Sequence, residues 1–144
     1  MPSPRDWQVT LLLCDAAQEL GGKLYILGGG WSKLFRPNQP AFYSLAVRIA
    51  VPWNEANQRH RFVARLADED GKPFLIEGKA VEIKGGLEVG RPAGLKPGSR
   101  IDSALAINIE GLPIPVGNYV WELEIDGTVM ADAEFQVLPA PTSV

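Results

Sequence analysis

Polar and apolar positions alternate with period two along most of this chain. Tyr43, Leu45, Val47, Ile49 and Val51 alternate with Phe42, Ser44, Ala46, Arg48 and Ala50, the pattern of a strand with one face on a core. The same alternation runs through residues 61–66, 101–110, 119–125 and 129–137. Three weaker segments join these five. Residues 8–14 are apolar on both faces (Val9, Leu11 and Leu13 against Leu12 and Cys14), as a central or interface strand would be. Residues 23–27 read as a strand ending in Gly28-Gly29-Gly30, and residues 74–83 as one strand broken by a bulge near Gly78. The helical candidate is residues 15–20, with Asp15 as N-cap and Gly21 as stop. These elements predict an all-β protein: an antiparallel sandwich of about eight strands, immunoglobulin-like or jelly-roll in topology, with at most one short helix near 15–20.

Two turns can be placed in more detail. A plain two-residue loop at Asp126-Gly127 would set Trp121 against Asp132 and Tyr119 against Glu134. A three-residue loop, Ile125-Asp126-Gly127 with a glycine bulge, sets Trp121 against Ala131 and Leu123 against Val129, and is the expected form. Residues 68–72 should form another tight turn, with Gly71 in the left-handed region. Residues 85–98 hold five glycines and two prolines. A stretch of that kind is either a crossover with Leu87, Val89 and Leu95 tucked under it or a binding surface.

The chain's 144 residues suit one domain, 1–144, with 1–6 and 139–144 as flexible tails. No apolar run is long enough for a membrane helix, and the first residues show no secretory pattern. A single cysteine, Cys14, fits a reducing compartment, so the expected location is cytoplasmic. The net charge of −3 is uneven. Residues 1–100 carry all 14 Lys and Arg against ten acids, and residues 101–144 carry seven acids and no cation. Acidic strands pairing with basic neighbours would explain this, as would copies associating acidic end to basic end. The overall balance argues against nucleic acid as a partner.

Chemistry-bearing residues are sparse. One His and one Cys supply no metal-ligand spacing, and Asp68, Glu69 and Asp70 lack the loop of a calcium site. Cys14 reads as a small core residue. His60, between Arg59 and Arg61, should be weakly basic and exposed at the start of its strand, and no serine sits in a nucleophile turn. The segment Gly28-Gly29-Gly30-Trp31-Ser32-Lys33 lacks the spacing of a phosphate loop and reads as a turn carrying the chain across the sandwich. The expectation is therefore no enzyme, no cofactor and no metal. The leading function is an interaction or self-assembly module, with Leu12, Cys14, Leu87, Val89, Arg91 and Leu95 as interface candidates. The alternative is a small-ligand or carbohydrate binder stacking on Trp31 and Trp53.

Two stretches, Leu11 through Trp31 and Gly90 through Gly127, resemble a bacterial family of small uncharacterised proteins, a domain of unknown function, over nearly the whole chain. Gly117-Asn118-Tyr119 with the Asp126-Gly127 hairpin is similar to the last hairpin of bacterial immunoglobulin-like domains. The resemblance implies a β-sandwich and a bacterial origin, and it carries over no activity.

Overall fold

A computed structural model describes residues 6–35 and 37–140. Eight strands of six or more residues carry the fold: β1 (Gln8–Leu20), β2 (Lys23–Gly29), β4 (Tyr43–Val51), β5 (His60–Asp68), β8 (Glu82–Leu87), β9 (Ile101–Ile109), β10 (Gly117–Ile125) and β11 (Thr128–Val137). Three two-residue strands accompany them, β3 (Lys33–Leu34), β6 (Leu75–Ile76) and β7 (Lys79–Ala80). One sheet has the order β2-β1-β4-β9 and the other β3-β11-β10-β5-β8. Long strands one, two, three and six of the chain's order (β1, β2, β4, β9) thus share a sheet, while β5, β8, β10 and β11 form the other, so the chain crosses repeatedly between the two layers of a β-sandwich. The pairing is antiparallel except that β3 runs parallel to β11, Gln136 opposite Lys33 and Val137 opposite Leu34.

The alternation read from the sequence becomes the core. Leu45, Val47, Ile49 and Val51 of β4 face Leu66, Trp121, Leu123 and Ile125 of the opposite sheet, all fully buried or nearly so. Each such side chain contributes about 1.5–3 kcal/mol relative to exposure. Trp121 also donates its indole N–H to the Tyr43 hydroxyl at 2.9 Å, linking the two sheets through a buried polar contact. Burial pushes the Tyr43 phenol up to about 12, the Trp121 hydrogen bond offsetting part of the rise. At the start of β10 the Tyr119 hydroxyl donates to the Pro115 carbonyl at 2.8 Å, closing a tyrosine corner.

Four local expectations change. Residues 15–20 are not helical but continue β1, with Ala16, Gln18 and Leu20 opposite Leu27, Tyr25 and Lys23. An isolated helix of that length cannot sustain itself, whereas β2 pairs with the whole segment. Gly21 is not a helix stop but the first of two left-handed glycines (φ 60° and 79°) that turn β1 into β2. The β10–β11 hairpin has the two-residue turn Asp126-Gly127, both left-handed (φ 51° and 83°). A register shift beyond Leu123 then places Trp121 opposite Ala133 and Tyr119 opposite Phe135. The bulge therefore lies within the hairpin rather than in its loop, and it keeps the acids off the core. Residues 74–83 are not one bulged strand but β6, a left-handed turn at Glu77-Gly78, β7 and the start of β8. The expected turn at residues 68–72 is present, Gly71 at φ 78°, and the Asp68 carboxylate accepts the N–H groups of Asp70 and Lys72. Of the tails expected at 1–6 and 139–144, residues 1–5 and 141–144 lie outside the described residues.

Candidate functional site

β1 divides its pairing between two neighbours. Residues Gln8 to Cys14 pair with β4, and residues Cys14 to Leu20 pair with β2. Beyond Cys14 the chain therefore forms a two-stranded arm that leaves the sandwich. One side of the arm returns to the molecule. Ala17 and Leu24 pack with Cys14 and Ala46 on the outer face of the sheet, together with Leu12 and Ala106. Small residues at these positions allow the close approach. The opposite side has no support: Leu20, Tyr25 and Leu27 are 69%, 55% and 72% exposed. Among the described residues β2 is also the last strand of its sheet, so one row of its backbone N–H and C=O groups has no partner there.

The cross-over after the arm is the glycine segment expected to carry the chain between sheets. Gly28 and Gly30 are left-handed (φ 60° and 91°), and the chain passes from β2 to β3 in the opposite sheet. The left-handed φ of Gly28 favours glycine, and the Asp15 carboxylate lies against it where a Cβ would sit.

The interface candidates named from sequence fall elsewhere. Cys14 is fully buried and Leu12 half-buried, both covered by the arm itself. Burial, and then the charge of Asp15, push the Cys14 thiol up, away from thiolate chemistry. Gly85, Gly86 and Leu87 belong to β8, where Leu87 is core, and Val89 and Leu95 pack against the core from the loop that follows. Arg91 is exposed, and its guanidinium lies 4.4 Å from the centre of the Trp53 ring while donating to the Trp53 carbonyl. That face of Trp53 is therefore occupied.

Trp31 stands in a more open setting. It meets Tyr43 edge-on, ring centres 5.5 Å apart. With Phe35, Phe42, Leu34, Asp15 and Lys33 these rings line a cleft of about 400 Å³. The indole N–H of Trp31 is buried and has no partner among the described residues. Trp31 and Trp53 are not brought together in one site: Trp53 lines a separate polar cleft with Asp6, Glu55 and Arg100. A third cleft, about 580 Å³, lies between Lys33, Asp68, Glu69, Asn118 and Glu134.

His60 is not the exposed residue expected. It is 2% exposed, on the inward side of β5 with Phe62, Ala64 and Leu66. Its Nδ1 lies 2.6 Å from an Asp126 carboxylate oxygen and its Nε2 2.8 Å from the Glu55 carbonyl. The Glu55 carbonyl accepts, and so does the Asp126 carboxylate when ionised, so the setting favours the doubly protonated ring. Burial works against that charge, but the Glu55 and Asp126 hydrogen bonds and charges outweigh it and raise the His60 pKa. Burial likewise opposes ionisation of Asp126, yet the Arg61 N–H and His60 hold its carboxyl below the ordinary value. The neighbours Arg59 and Arg61 do not set this balance. The ring of Trp7 covers the pair edge-on, 5.0 Å between centres.

Charge pairing across strands is present on the outer faces. Arg65 of β5 binds Glu124 of β10 at 2.9 Å and Glu82 of β8 at 2.7 Å, and Arg48 meets Asp102 at 3.5 Å. Opposite charges from the two parts of the chain thus meet within the molecule. Among the described residues no helix is long and apolar enough to cross a membrane.

The residues that sequence reasoning passed over are Leu20, Tyr25 and Leu27. A signal for them existed: Leu24-Tyr25-Ile26-Leu27 is an unbroken apolar run between two glycine turns. Such a strand carries one more apolar face than a single core can take.

These observations define a class: a β-sandwich with an apolar, partly unsupported arm built from its first hairpin. The chain belongs to the family of unknown function DUF6941, which it matches over residues 9–138. No curated protein matches it.

Proposed function

We propose that this chain is a non-enzymatic interaction module that engages a protein partner through the β1–β2 arm. One observation carries the reading: the β1–β2 arm joins a sheet edge that is unpaired among the described residues to three large apolar side chains, Leu20, Tyr25 and Leu27, each more than half exposed. Edges that stay free in solution are blunted by charge, proline or cover. β2 has no proline, and its one charged residue, Lys23, is at its first position. A two-stranded hairpin is marginal in water by itself, and a partner strand would stabilise it by β-augmentation. A non-enzymatic role accords with the chain's one imidazole being held between two acceptors beneath Trp7. The buried Cys14 suits a reducing, cytoplasmic setting.

The test is site-specific photocrosslinking in the native cell. A photoreactive residue at position 27 should form one discrete protein adduct, and one at Asp132, on the opposite sheet, should form none. Equal or absent labelling at the two positions would contradict the reading.

A second reading rests on the Trp31 cleft. Aromatic walls, one buried unpartnered N–H and the flanking Asp15 and Lys33 suit a small ligand with a flat apolar face, such as a sugar ring. Quenching of Trp31 fluorescence by such ligands, lost in Trp31→Ala, would support it. No response across a glycan and metabolite panel would remove it.

A further inference from the structure

We propose that the partner of β2 is a second copy of this chain, its β2 running antiparallel to the first about a two-fold axis at Ile26. This rests on the reading of the arm as an interaction element and names what it binds.

The argument begins with symmetry. β2 spans Lys23–Gly29, and Ile26 is its midpoint. In antiparallel self-pairing about that residue, Ile26 faces Ile26 of the second copy and Tyr25 faces its Leu27, twice over. Aromatic–aliphatic and β-branched cross-strand pairs of this kind each add roughly 0.2–1 kcal/mol. Tyr25 and Leu27, now solvated on one side of the arm, would then cover one another across the axis.

Charge supports the same arrangement. Lys23 is the only charged residue of β2. Parallel pairing in register would set the two Lys23 side chains side by side, which costs energy. Antiparallel pairing sends each Lys23 to Gly29 of the other copy. That glycine is opposite Cys14 in its own hairpin, and the exposed Asp15 is next in sequence. The Asp15 carboxylate itself lies against Gly28, one residue from the glycine that Lys23 of the other copy would face. The other long edge strands do not offer this self-complementarity. β9 bears Asp102, which binds Arg48, and β8 bears Glu82, which binds Arg65. The product would be one continuous sheet in the order β9-β4-β1-β2 followed by its mirror sequence from the second copy, closing both β2 edges. Two-fold closure of this kind is the commonest form of homo-oligomer.

The proposal is tested with a single cysteine. In Cys14→Ala/Ile26→Cys protein, the two Cα atoms at the axis would lie about 4.5–5.5 Å apart, within disulfide range. Mild oxidation should give a disulfide-linked dimer in high yield, while Cys14→Ala/Val129→Cys, exposed at the opposite sheet's hairpin, should not. Lys23→Asp should weaken association at least about tenfold, and adding Asp15→Lys should restore part of it. A dimer in solution with no preferential link at position 26 would overturn the β2 pairing. A monomer whose position 27 still labels a different protein in the cell would overturn self-pairing and leave the interaction reading standing. A monomer with no adduct at all would overturn both.

Discussion

Leu24 of β2 and Ala106 of β9 belong to strands at opposite ends of one sheet's hydrogen-bonding order, yet both pack on the same cluster of Cys14, Ala17 and Ala46. The arm therefore folds back over the outer face of its own sheet, and the two sides of β2 have different roles. Leu24 anchors the arm, while Tyr25 and Leu27 face away from the molecule.

This division predicts opposite outcomes for neighbouring substitutions. Leu24→Ala should cost about 1–2 kcal/mol in urea unfolding, the lower end for a large-to-small change because the site is half-buried. Leu27→Ser should stay within about 0.5 kcal/mol in dilute monomer, as surface changes do. Equal losses at both positions would mean that the arm has no anchored side.

The buried His60–Asp126 pair makes stability depend on pH. The His60 pKa is raised on folding, so its contribution is complete below the unfolded value of about 6.5 and is lost as pH rises through the folded value. Asp126, whose pKa is lowered, contributes above its ordinary value of 3.8 and loses that contribution as pH falls toward the folded value. Stability should therefore peak between these limits and decline as pH rises from about 6.5 through the folded His60 value. Asp126→Asn keeps a residue tolerant of left-handed backbone while removing the charge. It should cost about 2 kcal/mol at pH 6 and flatten the alkaline decline in thermal unfolding. An unchanged pH profile in that variant would refute the pairing as its source.

The link between the sheets predicts a specific loss. Tyr43→Phe leaves the Trp121 indole N–H buried without its acceptor, at a cost of about 1–3 kcal/mol. A blue shift in Trp121 emission should accompany it. No change in unfolding free energy would show that the contact contributes nothing net.

Surface charge predicts a gain. Glu122 and Asp132 are directly opposite on the outer face of β10 and β11. Asp132→Lys converts a like-charge pair into an opposite one and should add about 0.5 kcal/mol at low salt, the gain fading at high salt. A loss would contradict the cross-strand geometry.

The alternation of β4, β5, β9, β10 and β11 made the sandwich legible in the sequence, because one buried face imposes period two. What failed to show were features set by partners distant in sequence. The six residues from Asp15 to Leu20 suit a short helix by composition, and only pairing with β2 makes them a strand. The bulge beyond Leu123 shifts register without any residue that announces it. His60 shares the parity of Phe62, Ala64 and Leu66, which marks it as inward. Its charge state, however, depends on Asp126, 66 positions further along the chain. The interface candidates Leu12 and Cys14 were chosen for being apolar on a second face, and that face is covered by the arm. The apolar run that covers it also supplies the exposed surface.

The central claim is that β2 joins two copies of this chain, and solution mass by light scattering tests it most directly. Wild-type protein should run as a dimer near twice 15.6 kDa at micromolar concentration, persist at high salt because Tyr25, Ile26 and Leu27 carry the contact, and fall to monomer in Tyr25→Lys. A mass of 15.6 kDa for wild type at both salt concentrations, or a dimer that Tyr25→Lys leaves intact, would contradict it.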